Sequence, residues 1–395
     1  METRARRWQS IRLGAALVLC FFPCGIFYPF AYPVPEILML AAWICVFPTR
    51  IGCLSLLLLP LFPNDTYGYS AFNYFCVAGT LATGVRAAHW AQQQEVPWDR
   101  LHALARLCMG VSLALAAWQA IDGQRWLDAF PTMISLGEGR GGGLRTEPSL
   151  LALPLALYLS LVLMRLVQPG VEAESKRRLL TEAALLGLGA IFLTRSLTVA
   201  IVAFCFLPAF GARLKNLLVY GTASAALALS LFWGRLRDAI SGGDAFTYMI
   251  TTGVSSWRSV PDILILLNFR HYLLPPNPAT VRETINAFAV DWNPRFIWLE
   301  NTYSTFSAGA TTIGLIATLA LMIAGAVVGL RKTSHSGTLR AAWMMLYIAD
   351  WFILPKYEAS GWIALGMVTA AATIRSRADS PAVAVEIAGG EVALG

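Results

Sequence analysis

Apolar runs of 13 to 24 residues recur along almost the whole chain, separated by short charged or Pro/Gly-bearing connectors. In a bilayer, backbone N–H and C=O groups must be satisfied inside the protein, so a succession of such runs folds as membrane-crossing helices. A water-soluble fold would have to hide 57% hydrophobic residues behind 13% charged ones over 395 residues, and surface-to-volume scaling leaves too little polar material for that. Composition therefore excludes a soluble multi-domain enzyme and a disordered chain. The 13 Trp and 12 Tyr suit anchoring at the membrane interfaces.

The pattern predicts an all-α polytopic membrane protein with about twelve transmembrane helices, in the range of ten to twelve. They fall near 13–32, 35–48, 51–63, 71–86, 103–121, 149–167, 180–194, 197–212, 216–233, 307–330, 340–354 and 361–375. Several runs are shorter than the ~20 residues of a full crossing, so the pairs over 35–63 and 180–212 can equally be re-entrant or joined. Arg4, Arg6, Arg7 and Arg12 precede an apolar run from Leu13 that continues without a small-residue cleavage site, so an uncleaved first span is expected. The organisation is an N-terminal bundle over 1–233 with an outer segment 122–148, a large outer loop 234–306, C-terminal helices over 307–375 and a tail 376–395.

Charge sets the orientation. With a cytoplasmic N-terminus, 19 of the 30 Lys and Arg fall on the inner side and 11 on the outer. Six of the outer ones lie in the loop 234–306, which is longer than the ~60 residues over which the positive-inside rule acts. Both termini are thus expected in the cytoplasm, with any chemistry on the outer face. The net charge of +7 is read as topology, because no Lys/Arg strip interleaved with aromatics points to nucleic acid. The seven cysteines lie in apolar stretches without C-x-x-C and read as small hydrophobes rather than ligands or disulfides.

Gly139-Arg140-Gly141-Gly142-Gly143-Leu144-Arg145-Thr146-Glu147-Pro148-Ser149 closes the first outer segment. Consecutive glycines allow close backbone approach to a ligand, and Pro148 is pre-organised for a first helical turn whose amides can face an anion. Arg145 two residues before Glu147 pairs an anion clamp with a proton acceptor. A flexible loop before a capped helix, with Arg145 snorkelling, is an equally weighted reading. Arg195, in Thr194-Arg195-Ser196, interrupts an apolar stretch, either as a functional intramembrane cation or as an interfacial residue at an outer turn. In the large loop, Ser255-Ser256-Trp257-Arg258-Ser259 supplies a further arginine, and a helical pattern near 280–290 fits either a surface helix or the loop's own core. Glu300-Asn301 closes that loop, as a group able to handle hydroxyl protons or as a solvated carboxylate at a helix start. Walker A, G-x-G-x-x-G, H-E-x-x-H and G-x-S-x-G patterns are absent, and the four histidines are scattered. Neither a metal nor a cofactor is expected.

Taken together, the arginine before Glu147-Pro148-Ser149, Leu193-Thr194-Arg195-Ser196, Trp257-Arg258 and Glu300-Asn301-Thr302-Tyr303 resemble the short motifs of the bacterial O-antigen/exopolysaccharide polymerases and the related O-antigen ligases. The resemblance covers most of the chain in topology. It implies an inner-membrane glycosyltransferase acting on undecaprenyl-diphosphate-linked oligosaccharide at the periplasmic face, in which a sugar hydroxyl attacks an anomeric carbon and expels the lipid diphosphate. It assigns Arg145, Arg195 and Arg258 to the diphosphate, and Glu147 or Glu300 to the acceptor proton. Where the ligases and many polymerases carry His-Asn, this chain has Glu300-Asn301, so no histidine base is implied. Partners implied are the lipid-linked oligosaccharide, the bilayer and a chain-length-regulating membrane protein. The alternatives are an O-antigen ligase and, ranked lower, a lipid-linked oligosaccharide flippase or transporter. The transporter reading predicts mid-span cations and repeat symmetry, neither of which is apparent.

Overall fold

The computed structural model describes residues 48–58, 98–122, 139–143, 148–167 and 171–210, with single positions within 11–21, 41–45, 82–86 and 222–226, at 323 and within 342–346. Among the described residues every element is helical and there is no strand. Helix α1 covers Arg50–Leu58, α2 Trp98–Ile121, α3 Ala152–Val167, α4 Ala173–Thr194 and α5 Leu197–Cys205, with 3-10 turns at Pro148–Leu151 and Leu207–Phe210. The loop 234–306 and the tail 376–395 lie outside the described residues, as do the C-terminal helices 307–375 apart from single helical positions.

Local chemistry explains the helix boundaries. Thr49 caps α1: its Oγ1 accepts from the Gly52 amide at 2.9 Å and its carbonyl from the Cys53 amide at 2.9 Å. Pro148 opens a helical turn, where its missing N–H and fixed φ cost nothing. Helix α4 starts at Ala173, earlier than the apolar run expected from 180, because the exposed turn holding Glu174, Lys176, Arg177 and Arg178 is made of good helix formers that hydropathy does not register. It ends at Thr194, whose hydroxyl bonds back to the Ala190 carbonyl at 2.7 Å and receives the Ser196 amide at 3.3 Å. The stretch 180–210 is consequently two separate helices joined at Arg195-Ser196.

Helices α2, α3 and α4 pack against one another, and α5 packs on α3 and α4. Short connections make α3 and α4, and α4 and α5, antiparallel, and the Arg165–Asp99 pair sets the end of α3 beside the start of α2. The C-terminal end of α2, the Pro148–Leu151 turn and the α4–α5 junction therefore share one end of the bundle. Helix α3 is apolar all round and buried all round from Leu151 to Leu166, apart from Arg165, as a central helix must be. Helix α2 is long and apolar enough over Asp99–Ile121 to cross a bilayer. One of its faces, Leu101, Ala105, Cys108, Ser112, Ala116 and Gln119, is buried, while Ala103, Leu107, Val111, Ala114, Trp118 and Ile121 form an exposed apolar stripe at helical spacing. Of the described cysteines, Cys20, Cys108 and Cys205 are buried as expected of small hydrophobes, whereas Cys45 and Cys53 are exposed.

Candidate functional site

The glycine segment does not stay outside the bundle; it packs along the buried face of α2. A Cβ on Gly141 would sit 2.7 Å from the Ala116 Cα and 2.5 Å from its carbonyl carbon, with the carbonyl oxygen closer still. A Cβ on Gly143 would lie 2.5 Å from Ser112 Oγ and 2.9 Å from the Ser112 carbonyl oxygen. Ser112 lies nine residues before the end of α2, so the segment descends ~13 Å along the helix at 1.5 Å per residue. Gly139 and Gly143 take φ of 67° and 69°, the left-handed region that glycine enters without Cβ strain. Only a side-chain-free segment can follow this path against another backbone.

Non-helical backbone buried among helices must still satisfy its polar groups. Gln119, fully buried, accomplishes most of this: its Oε1 accepts from the Gly142 amide at 2.9 Å and the Gly143 amide at 2.8 Å, while its Nε2 donates to the Gly143 carbonyl. The Gly141 amide donates to the Leu193 carbonyl at 3.0 Å, and Arg140 Nε donates to the Thr194 carbonyl at 3.0 Å. Leu193 and Thr194 belong to the last turn of α4, whose carbonyls have no partner within their own helix. The glycine segment thus caps α4 from outside, and the Arg140 cation lies at the negative end of that helix dipole.

Arg195 adds a second cation at the same place. Its Nη1 and Nη2 lie 3.3 and 3.4 Å from where a Gly139 Cβ would stand, so its guanidinium packs against this glycine turn. The residue is exposed and holds φ 46°, ψ 40°, the one non-glycine positive φ among the described residues. A left-handed conformation costs a residue bearing a Cβ roughly 1–2 kcal/mol, and such outliers gather at functional sites because surrounding contacts enforce them. Here the Arg195 amide caps the helix by donating to the Ile191 carbonyl at 2.9 Å. Two guanidinium groups at a helix end, beside a half-buried glycine turn, can recognise an oxyanion bearing several acceptors.

Of the sequence-predicted site residues, Arg195 is placed at this turn, next to the glycines of the separate motif that runs from Gly139 to Ser149. Arg145 and Glu147 lie outside the described residues. Arg258 and Glu300 also lie outside them. Sequence reading passed over Gln119 and Arg140. Gln119 had a visible signal, a lone amide within the apolar run from Cys108 to Ile121. Arg140, flanked by glycines, lacks the following Glu-Pro-Ser that drew attention to Arg145.

A second polar cluster, also unanticipated, lies toward the other end of the same helices. Tyr158 Oη donates to Glu182 Oε1 at 2.7 Å, Arg106 Nη1 lies 3.3 Å from Glu182 Oε2, and His102 Nε2 is 3.6 Å from Glu182 Oε1. The His102 and Tyr158 rings pack with centroids 5.8 Å apart, and Arg165 pairs with Asp99 nearby. The cluster ties α2, α3 and α4 together through one carboxylate. Among the described residues, no three of His, Cys, Asp and Glu gather as a ligand set for a metal ion.

Among the described residues, the fold and site define an all-helical bundle with an arginine-bearing glycine segment seated at one end. No protein family, curated protein or solved structure compared with this chain matches it.

Proposed function

We propose that this protein is a bacterial inner-membrane glycosyltransferase that polymerises undecaprenyl-diphosphate-linked oligosaccharide repeat units at the periplasmic face, through about twelve spans with both termini cytoplasmic. The observation that carries the reading is the meeting of Arg195 and Arg140 around Gly139 at the bundle end assigned to the outer face. The exposed apolar stripe of α2 supports a lipid-facing helix, since a water-facing surface rarely presents so continuous a row of large apolar side chains.

In the proposed reaction a hydroxyl oxygen of one repeat unit attacks the anomeric carbon of another. The bond from that carbon to the diphosphate oxygen breaks, and the diphosphate leaves with the electron pair. The hydroxyl proton passes to a carboxylate, assigned to Glu147 or Glu300. Negative charge grows on the leaving diphosphate, so fixed guanidinium groups there stabilise the transition state more than the ground state. Arg195 is assigned to that charge with Arg145 and Arg258, and the structure-derived position of Arg140 adds it to the set.

Purified protein incubated with a lipid-linked repeat unit should yield a ladder of longer products, and Arg195→Ala should lower its rate by ~10²–10³ while leaving the membrane level unchanged. Transfer of a single chain to a lipid A–core acceptor would indicate the ligase. No product with either acceptor, or an undiminished rate for Arg195→Ala, would overturn the assignment.

A further inference from the structure

We infer that Gln119 is a positioning residue: its side chain fixes the depth and register of the Gly141–Gly143 segment and so sets where the guanidinium groups of Arg140 and Arg195 stand. The role in catalysis rests on the glycosyltransferase reading; the anchoring does not.

The geometry singles out this residue. Gln119 is the last buried residue on the inward face of α2, one turn above Ala116, on whose backbone Gly141 lies. Side chains on a helix lean toward its N-terminus, so the Gln119 amide points down the helix toward Ser112, along the path of the glycines. It completes three hydrogen bonds to two consecutive residues, two accepted by Oε1 and one donated by Nε2. This requires one acceptor and one donor on a single planar head, at this length. Asparagine is one methylene short, glutamate lacks the donor, and leucine or methionine offers neither group.

Movement of the segment is transmitted directly. Gly141 and Arg140 immediately precede the two anchored glycines, and they hold the last carbonyls of α4 at Leu193 and Thr194. Gly139 in turn carries the Arg195 guanidinium against its backbone. Loss of the Gln119 bonds therefore reaches both cations within three residues. Displacement of a reacting constellation by ~1 Å can lower a rate by ~10²-fold, so a residue that never touches substrate can control turnover.

The test uses the full-length protein in right-side-out membrane vesicles, comparing wild type, Gln119→Met and Gln119→Glu. Methionine keeps length and helix propensity while removing every hydrogen bond; glutamate keeps the acceptor and loses the donor. Trypsin cleavage at the Arg140–Gly141 bond, identified by fragment mass, reads the anchoring without any substrate. It should be at least ~10-fold faster in Gln119→Met, the factor corresponding to loss of ~1.4 kcal/mol, with Gln119→Glu between it and wild type. Extension of the lipid-linked repeat should fall by ~10² in kcat, with partial recovery in Gln119→Glu. Unchanged protection of the Arg140–Gly141 bond in Gln119→Met would overturn the anchoring whatever the activity. A released segment with undiminished extension would overturn the positioning role. Where Gln119→Met does not accumulate in the membrane, the Gln119→Glu comparison decides by the same two readouts. An inactive wild type whose Arg140–Gly141 bond is protected only when Gln119 is intact would overturn the glycosyltransferase reading and leave the anchoring standing.

Discussion

Replacement of Gly141 by alanine is the sharpest perturbation that this structure offers. The new methyl group would fall 2.7 Å from the Ala116 Cα and 2.5 Å from its carbonyl carbon, within contact distances that side-chain rotation cannot relieve because the opposing atoms are main chain. The glycine segment must lift off α2, stretching the Gly141–Leu193 bond and the two amide bonds to Gln119. Overpacking of this kind costs ~1–3 kcal/mol, and if the stretched bonds leave the equivalent of one buried polar group without a partner, that adds ~1–3 kcal/mol, so a loss of about 2–6 kcal/mol is expected. Gly110 supplies the control: it sits in the middle of the same helix with nothing within 4 Å of a Cβ, so Gly110→Ala should instead stabilise by ~0.5–1 kcal/mol. Adding Ala116→Gly to Gly141→Ala should not rescue it, since the obstructing atoms remain. Thermal or denaturant unfolding in detergent measures all four proteins. A Gly141→Ala variant within about 0.5 kcal/mol of wild type would refute the close packing of segment on helix, and rescue by Ala116→Gly would show that the obstruction is a side chain.

The remaining predictions concern other parts of the bundle. Arg195→Gly should relieve a left-handed non-glycine residue and raise stability by ~1–2 kcal/mol, while extension of lipid-linked oligosaccharide falls ~10²–10³-fold; a variant no more stable than wild type would show that no strain is held there. Tyr158→Phe removes a donor from the Glu182 carboxylate and should destabilise by ~1–3 kcal/mol in the same unfolding assay; a negligible change would mean that the carboxylate finds another partner. Val111→Asp places a charge in the exposed apolar stripe, which should cost ~2.5–3.5 kcal/mol in a glycosylation-reporter insertion assay if the stripe faces lipid, whereas a water-facing stripe would tolerate it.

Which parts of this arrangement could be read from the sequence follows the range of the interactions involved. The apolar runs read at 103–121 and 149–167 fall on the helices at 98–121 and 152–167, because apolar runs of that length have one low-energy solution, although the polar first turn of α2 at 98–102 was missed; the break at Thr194-Arg195-Ser196 was legible because Thr and Ser compete for backbone hydrogen bonds. The start of α4 was missed by seven residues, since its first two turns are polar and a hydropathy reading cannot distinguish a polar helix from a loop. The cluster of His102, Arg106, Tyr158 and Glu182 was invisible for a different reason: it joins residues up to 80 positions apart on three helices, and no local pattern announces such a meeting.

The glycine run shows the same division within five residues. Its sequence alone determined that the chain there could adopt positive φ and approach another backbone closely, because those freedoms belong to residues without a Cβ. Which backbone it approaches, that Gln119 serves its amides, and that Arg140 rather than another arginine reaches the end of α4 were decided only by the packing of α2 against α4. Sequence fixes the conformations a segment can afford locally; the partners for its hydrogen bonds are set by which helix faces the tertiary structure brings within about 3 Å of it.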